Sequence, residues 1–179
     1  AEEVAAFRTL ARGPTHVFGS DASINNLLDK EEIEEFSFHR LRPLSAEALA
    51  GAYDNDGYEA EKRTWGVKWG GFESAVLRHT EADGLALLTY RIKNPWFPPA
   101  PLFRSIVASH PTLTIMVSYV TEHPGRGRTA FRHDGTRVFA HDGPPIIHDD
   151  EWKREFYDGH EAWIDSLWSD PLTRHLALK

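Results

Sequence analysis

The first helical pattern of apolar residues lies at the amino-terminal end of the chain. Four apolar residues share one side of a helix that begins at Glu2, namely Val4, Phe7, Leu10 and Ala11. Gly13 and Pro14 predict where this helix ends. A second pattern of the same spacing covers residues 23–36, and its acidic run, which includes Glu34 and Glu35, is predicted to be a solvated face.

Alternation of apolar and polar residues predicts strands in the centre of the chain. Residues 72–80 and 85–93 alternate and are joined by Glu81-Ala82-Asp83-Gly84, which predicts a hairpin. A helical stripe bounded by prolines covers residues 100–110, and residues 113–121 alternate again. We therefore expect one antiparallel sheet that includes these three strands, covered by the helix near residues 100–110.

This order of elements predicts an α+β fold. Strand, strand, helix and strand after a helix is the order of a ferredoxin-like antiparallel sheet with helices on one face, and its first strand is unaccounted for. Beyond this core, residues 131–138 predict a β-hairpin with an Asp-Gly turn, and residues 149–169 predict a C-terminal helix. We assign residues 1–140 to a ferredoxin-like domain with an extra N-terminal helical segment and insertions, and residues 141–179 to a C-terminal helical arm packed on it.

Composition limits the class of protein. The chain has 179 residues, of which 41% are hydrophobic, and this is enough for one packed core. It has no cysteine, which excludes a disulfide framework and a thiolate site. No apolar run approaches the roughly 18 residues that cross a bilayer, so we expect no membrane partner. The absence of cysteine fits a reducing compartment, so we expect a cytoplasmic protein.

Charge is distributed unevenly along the chain. The formal net charge is −7, but residues 62–140 contain 11 Lys/Arg and 5 acidic residues and are therefore basic. The segments on either side are acidic, and the arm also carries Trp152, Trp163 and Trp168. Such apolar surface is costly to expose, so we expect the arm to pack on the basic centre of its own chain or to form a homodimer with a second copy.

The segment from Lys62 to Gly71 is the most distinctive in the chain. It places Trp65 and Trp69 four residues apart with Lys68 between them, and Trp96 follows in a proline-rich stretch. Two indoles with a neighbouring cation can form either a hydrophobic corner or a surface platform for a ligand. We predict that Trp65, Trp69 and Trp96 cluster in the core, and the platform is the alternative.

Several of these motifs resemble the YubB-type ferredoxin-like family, whose members are encoded by phages, plasmids and integrated elements. The resemblance covers residues 1–140 and rests on Phe38-x-Arg40-Leu41-x-Pro43, Trp65-Gly66-x-Lys68-Trp69, Tyr90, Trp96-x-Pro98-Pro99-x-Pro101 and Pro111-x-Leu113. It implies a ferredoxin-like fold and a mobile-element setting, but no activity. The chain departs from the family because no strand precedes Glu2, and the tail after Ala140 lies outside the resemblance.

Two functions from different classes follow. The first is a non-catalytic accessory protein of a mobile genetic element that uses no cofactor and binds a host or element protein. The second is nucleic-acid binding through the basic centre 62–140, with aromatic side chains that stack on bases. The candidate binding surface consists of Arg63, Trp65, Lys68, Trp69, Trp96, Arg126, Arg128 and Arg132.

A metal-dependent hydrolase is a further alternative. His141, Asp142, His148 and Asp149 flank a proline turn that can bring them together, and such side chains bind zinc or manganese. Their spacing matches no diagnostic metal motif. The glycines and arginines of residues 124–128 resemble an anion-binding nest, but no helix follows them, so we predict a flexible loop there.

Overall fold

The computed structural model describes residues 2–14, 33–51, 53–82, 85–95, 97–121, 125–134 and 137–142. Residues 143–179, on which the predicted C-terminal helix falls, lie outside these residues, as do most of the second helical pattern and Trp96. In chain order the elements are α1 (Glu2–Ala11), β1 (Gly13–Pro14), β2 (Ile33–Glu34), α2 (Phe38–Leu41), α3 (Ala46–Ala50), a π-helical turn (Tyr53–Gly57), α4 (Tyr58–Trp65), β3 (Phe72–Ala82), β4 (Leu85–Lys93), α5 (Ala100–Ser109), β5 (Thr114–Thr121), β6 (Gly125–Asp134) and β7 (Arg137–Asp142).

Two of the predicted helices, α1 and α5, are confirmed. In α1, Phe7 and Ala11 are buried one turn apart, as the apolar spacing predicts. In α5 the buried residues form one stripe, made of Leu102, Phe103, Ile106 and Val107. Burial of each such side chain contributes about 1.5–3 kcal/mol, so packing of this stripe fixes α5 against its neighbours.

The strands form three separate antiparallel sheets, β1–β2, β3–β4 and β5–β6–β7. The hairpins β3–β4 and β6–β7 and the mixed helix and strand content are confirmed. The prediction that residues 113–121 lie in one sheet with residues 72–80 and 85–93 was wrong, because β5 belongs to a separate sheet, where it pairs with β6 from Thr114↔Arg132 to Thr121↔Gly125. Alternation identifies a strand but does not select its partner. The ferredoxin-like arrangement, which requires these strands in one sheet, is not confirmed in the described part of the chain.

Aromatic side chains connect the helices to the sheets in one core. Phe131 of β6 is 1% exposed, and its ring lies 5.5 Å from that of Phe103 on α5. Phe36 stacks edge-on against Phe38 at 6.1 Å, and Phe38 stacks edge-on against Trp65 at 5.9 Å. Helix α5 therefore covers one face of the β5–β7 sheet and joins it to the tryptophan segment.

Two local predictions were also wrong. Residues 33–34 form β2 rather than the end of a helix, because they pair with Gly13 and Pro14. Residues 125–128 begin β6 rather than forming a flexible loop, since each of them pairs with a residue of β5. The predicted domain boundary between residues 140 and 141 falls inside β7, which ends at Asp142.

Candidate functional site

Trp65 is part of the core and not of a binding platform. Its side chain is 0% exposed, and its Nε1 donates a hydrogen bond to the carbonyl oxygen of Arg42 at 2.8 Å. In return, the Arg42 guanidinium donates to the carbonyl oxygens of Thr64 at 2.6 Å and Pro101 at 3.1 Å. These bonds hold the end of α4 against the start of α5, so a ligand has no access to this indole.

Packing also accounts for two glycines of the tryptophan segment. Gly66 ends α4 with φ +88°, and a Cβ there would lie 2.6 Å from Cδ of Pro101. A Cβ on Gly71 would lie 2.4 Å from Cε1 of Phe38. Only glycine combines the left-handed backbone at position 66 with this close approach.

Trp69 is partly buried and held in an unusual backbone conformation. Its φ is +61°, and its backbone N–H donates to Oε2 of the fully buried Glu61 at 2.6 Å. Nζ of Lys68 lies 3.8 Å from the indole centroid, so a cation already covers this face. Burial and then the neighbouring Glu61 carboxylate raise the pKa of Tyr53.

A second buried carboxylate, Glu34, holds the start of β3. Glu34 is 2% exposed and accepts hydrogen bonds from the backbone N–H groups of Ser74 at 2.7 Å and Glu73 at 3.0 Å, and from the Ser74 hydroxyl. Glu73 also has positive φ, at +48°. The prediction of a solvated acidic face was therefore wrong for Glu34, because its charge is satisfied by amides rather than by water.

Three predicted binding residues share one face of the β5–β7 sheet. Successive residues of a strand alternate between faces, and residues directly opposite one another share a face. Phe131 lies on the face that α5 covers, so Arg126, Arg128 and Arg132 occupy register positions on the opposite face. We call this the arginine face. Met116, which pairs with Ala130 and belongs to the same set of positions, is 38% exposed.

The register of β7 adds residues that the sequence interpretation missed. Arg137 pairs with Asp134 and Phe139 pairs with Arg132, which places Arg137 and Phe139 on the arginine face. His141, predicted as a metal ligand, pairs with Ala130 and joins them. The signal was present in the sequence, because a hairpin closed by a two-residue turn fixes which residues face each other.

The remaining candidates are not brought together on this face. Arg63 is exposed in the last turn of α4, and Lys68 follows in the loop beyond it. His141 and Asp142 are consecutive residues of β7 and therefore occupy opposite faces. Trp96, His148 and Asp149 lie outside the described residues.

The described residues contain neither a metal-binding cluster nor a membrane-spanning helix. Those residues contain no group of three His, Asp or Glu side chains that could hold a metal ion. No helix among them is long and apolar enough to cross a membrane.

Comparison with known proteins found no family model, no curated protein and no solved structure that matches the chain.

Proposed function

We propose that the protein binds nucleic acid through the arginine face. The observation that carries this proposal is the register of β6, which assigns Arg126, Arg128 and Arg132 to the face opposite the buried Phe131. Arg137 of β7 joins them, and Asp134 is the one acidic residue among the described positions of this face. A local concentration of four arginines attracts phosphates even though the whole chain is acidic, because salt screens charges more than about 8 Å apart.

The proposal favours nucleic acid over an acidic protein for a structural reason. Arg126 and Arg128 occupy positions about 7 Å apart on β6, and Arg132 follows about 13 Å further along the same strand, which suits a ligand with repeated anions along its length. Arginine forms bidentate hydrogen bonds with phosphate, so the residue type also suits this ligand.

Binding of a labelled oligonucleotide at several salt concentrations tests this function. Arg128→Ser combined with Arg132→Ser should weaken binding and reduce the slope of log K against log salt by about 0.7 for each phosphate that the variant no longer neutralises. Arg91→Ser combined with Arg104→Ser removes the same charge from exposed positions on β4 and α5 and serves as the control. Equal losses of affinity in the two variants, or no binding by the unaltered protein at low salt, would refute the proposal.

A protein partner is the second candidate, and one observation favours it. Phe97 is 63% exposed in a loop that the Asn94 side chain braces by donating to the carbonyl oxygens of Phe97 at 2.7 Å and Pro95 at 3.1 Å. A rigid, exposed aromatic residue is a frequent anchor in protein interfaces. A photo-crosslinker at position 97 should capture one discrete host protein, whereas the same group at the exposed Thr112 should not.

The mobile-element setting belongs to this proposal as well. It rests on the resemblance of the sequence motifs to the YubB-type family. An accessory protein encoded by a phage or plasmid would meet nucleic acid or host proteins during transfer of the element. Loss of the gene should then reduce transfer or propagation of the element, and restoring the gene with the Arg128→Ser and Arg132→Ser substitutions should not rescue it.

A further inference from the structure

We infer that the arginine face takes a single strand and stacks one base at position 139, an inference that rests on the proposed nucleic-acid function. Three features carry it: the width of the sheet, the arrangement of the arginine positions, and the apolar positions between them. Each feature favours a single strand over a duplex as the ligand.

The width of the sheet disfavours entry into the major groove. Neighbouring strands lie about 4.8 Å apart, so β5, β6 and β7 already span about 10 Å between their outer axes before side chains are added. The major groove of DNA is about 12 Å wide and admits a helix or a two-stranded ribbon. Helix α5 covers the other face of the sheet and adds to its bulk, so the arginine face meets its ligand from outside.

Three of the four arginine positions follow one line along a single strand. Arg126, Arg128 and Arg132 all belong to β6, the middle strand, and the register continues without a bulge from Thr121↔Gly125 to Thr114↔Arg132. A duplex presents two phosphate backbones on the sides of each groove. A single strand presents one, which can run along β6.

Apolar positions accompany this line. Phe139 pairs with Arg132 in one cross-strand row, and Met116, Ala130 and His141 form the next row. Bases of a duplex are stacked on each other and inaccessible, whereas bases of a single strand can stack on an aromatic ring. Phe139 is the one aromatic residue of the phenylalanine, tyrosine and tryptophan types among the described positions of this face, so it is the stacking partner that the register assigns.

Three ligands with matched phosphates test the inference on the full-length protein. They are a single-stranded oligonucleotide, the same strand in a duplex, and an oligonucleotide of equal length that carries abasic sites. We expect the unaltered protein to bind the first about tenfold more tightly than the abasic ligand, which is the effect of losing one stacked base. Phe139→Leu should remove this difference and Phe139→Tyr should keep it.

The outcomes separate this inference from the proposed function. Equal affinity for the single strand, the duplex and the abasic ligand, with weaker binding by the Arg128→Ser and Arg132→Ser variant, would overturn the single-strand inference and keep the proposed function. No binding to any ligand at low salt would overturn both. The abasic ligand needs no substitution, so a folding defect in a position-139 variant cannot obscure the result.

Discussion

The tryptophan segment and the arginine face differ in where the structure places their most conspicuous residues. In residues 62–71 the most conspicuous side chain, Trp65, is sealed in the core, and Lys68 covers one face of Trp69. In the β5–β7 sheet, arginines that are scattered in the sequence come together at alternate positions of paired strands. Residue type therefore drew attention to the first region, but strand register created the candidate surface in the second.

Replacement of Trp65 is expected to cause the largest loss of stability. Trp65→Ala removes a fully buried indole and its hydrogen bond to Arg42, which should reduce the free energy of unfolding by about 3–5 kcal/mol. Phe97→Ala removes an exposed aromatic side chain and should change it by less than about 0.5 kcal/mol. Urea unfolding of both variants measures the difference. Similar reductions would mean that Trp65 is not a core residue.

The neighbouring glutamates offer a smaller, matched test. Glu34→Gln places an amide group next to the backbone N–H groups of Glu73 and Ser74 and should cost about 1–3 kcal/mol. Glu35→Gln weakens a partly exposed ion pair with Arg12 and should cost less than about 1 kcal/mol. Urea unfolding of both variants measures the two losses. A larger loss of stability for the position-35 variant would contradict the role assigned to Glu34.

Alkaline pH should destabilise the packed region through its buried tyrosines. Burial raises the pKa of Tyr90 from 10.0 to about 12, with a further increase from Glu35 and an opposing effect of Arg8. Above pH 10.0 the unfolded chain loses this proton while the folded chain keeps it, so stability falls as the pH rises toward 12. Urea unfolding across this range should show a shallower decline for Tyr90→Phe. An unchanged slope would exclude Tyr90 as the cause.

Substitution on the arginine face should have the smallest effect on folding. Arg128→Ser and Arg132→Ser should each change the free energy of unfolding by no more than about 0.5 kcal/mol, because neither position belongs to the face that α5 covers. Thermal unfolding measured beside the binding experiment checks this. A large loss of stability would assign these arginines to packing, as for Trp65, and would remove the contrast between the two regions.

Local patterns were sufficient to predict many of the elements. The apolar stripes of α1 and α5 and the alternation of β3 and β4 depend on neighbours within a few residues, so they can be read without the fold. The partner of β5 depends on which of several strands reaches it, and the sequence does not encode that locally. The burial of Glu34 depends on amides about forty residues later in the chain, which no local pattern could indicate.

Part of the candidate site could also be predicted from the sequence, and part required the fold. Arg126, Arg128 and Arg132 were selected by charge, and their common face follows from spacing within one strand. Phe139 and Arg137 could have been found by extending the predicted hairpin, because the pairing Asp134↔Arg137 fixes every later pair. The assignment of these residues to the face opposite α5 required the contact between α5 and Phe131, which belong to different parts of the chain.

The two buried carboxylates have a consequence for solvent exchange. Glu61 binds the amide of Trp69 within the connection between α4 and β3, and Glu34 binds the amide of Glu73 at the start of β3. Amides in a connecting loop usually exchange with deuterium quickly, because local opening there costs little free energy. Here, opening would expose Glu61 and Glu34 without their partners. These two amide protons should therefore exchange as slowly as those of the buried helices, and the connection should open together with the core.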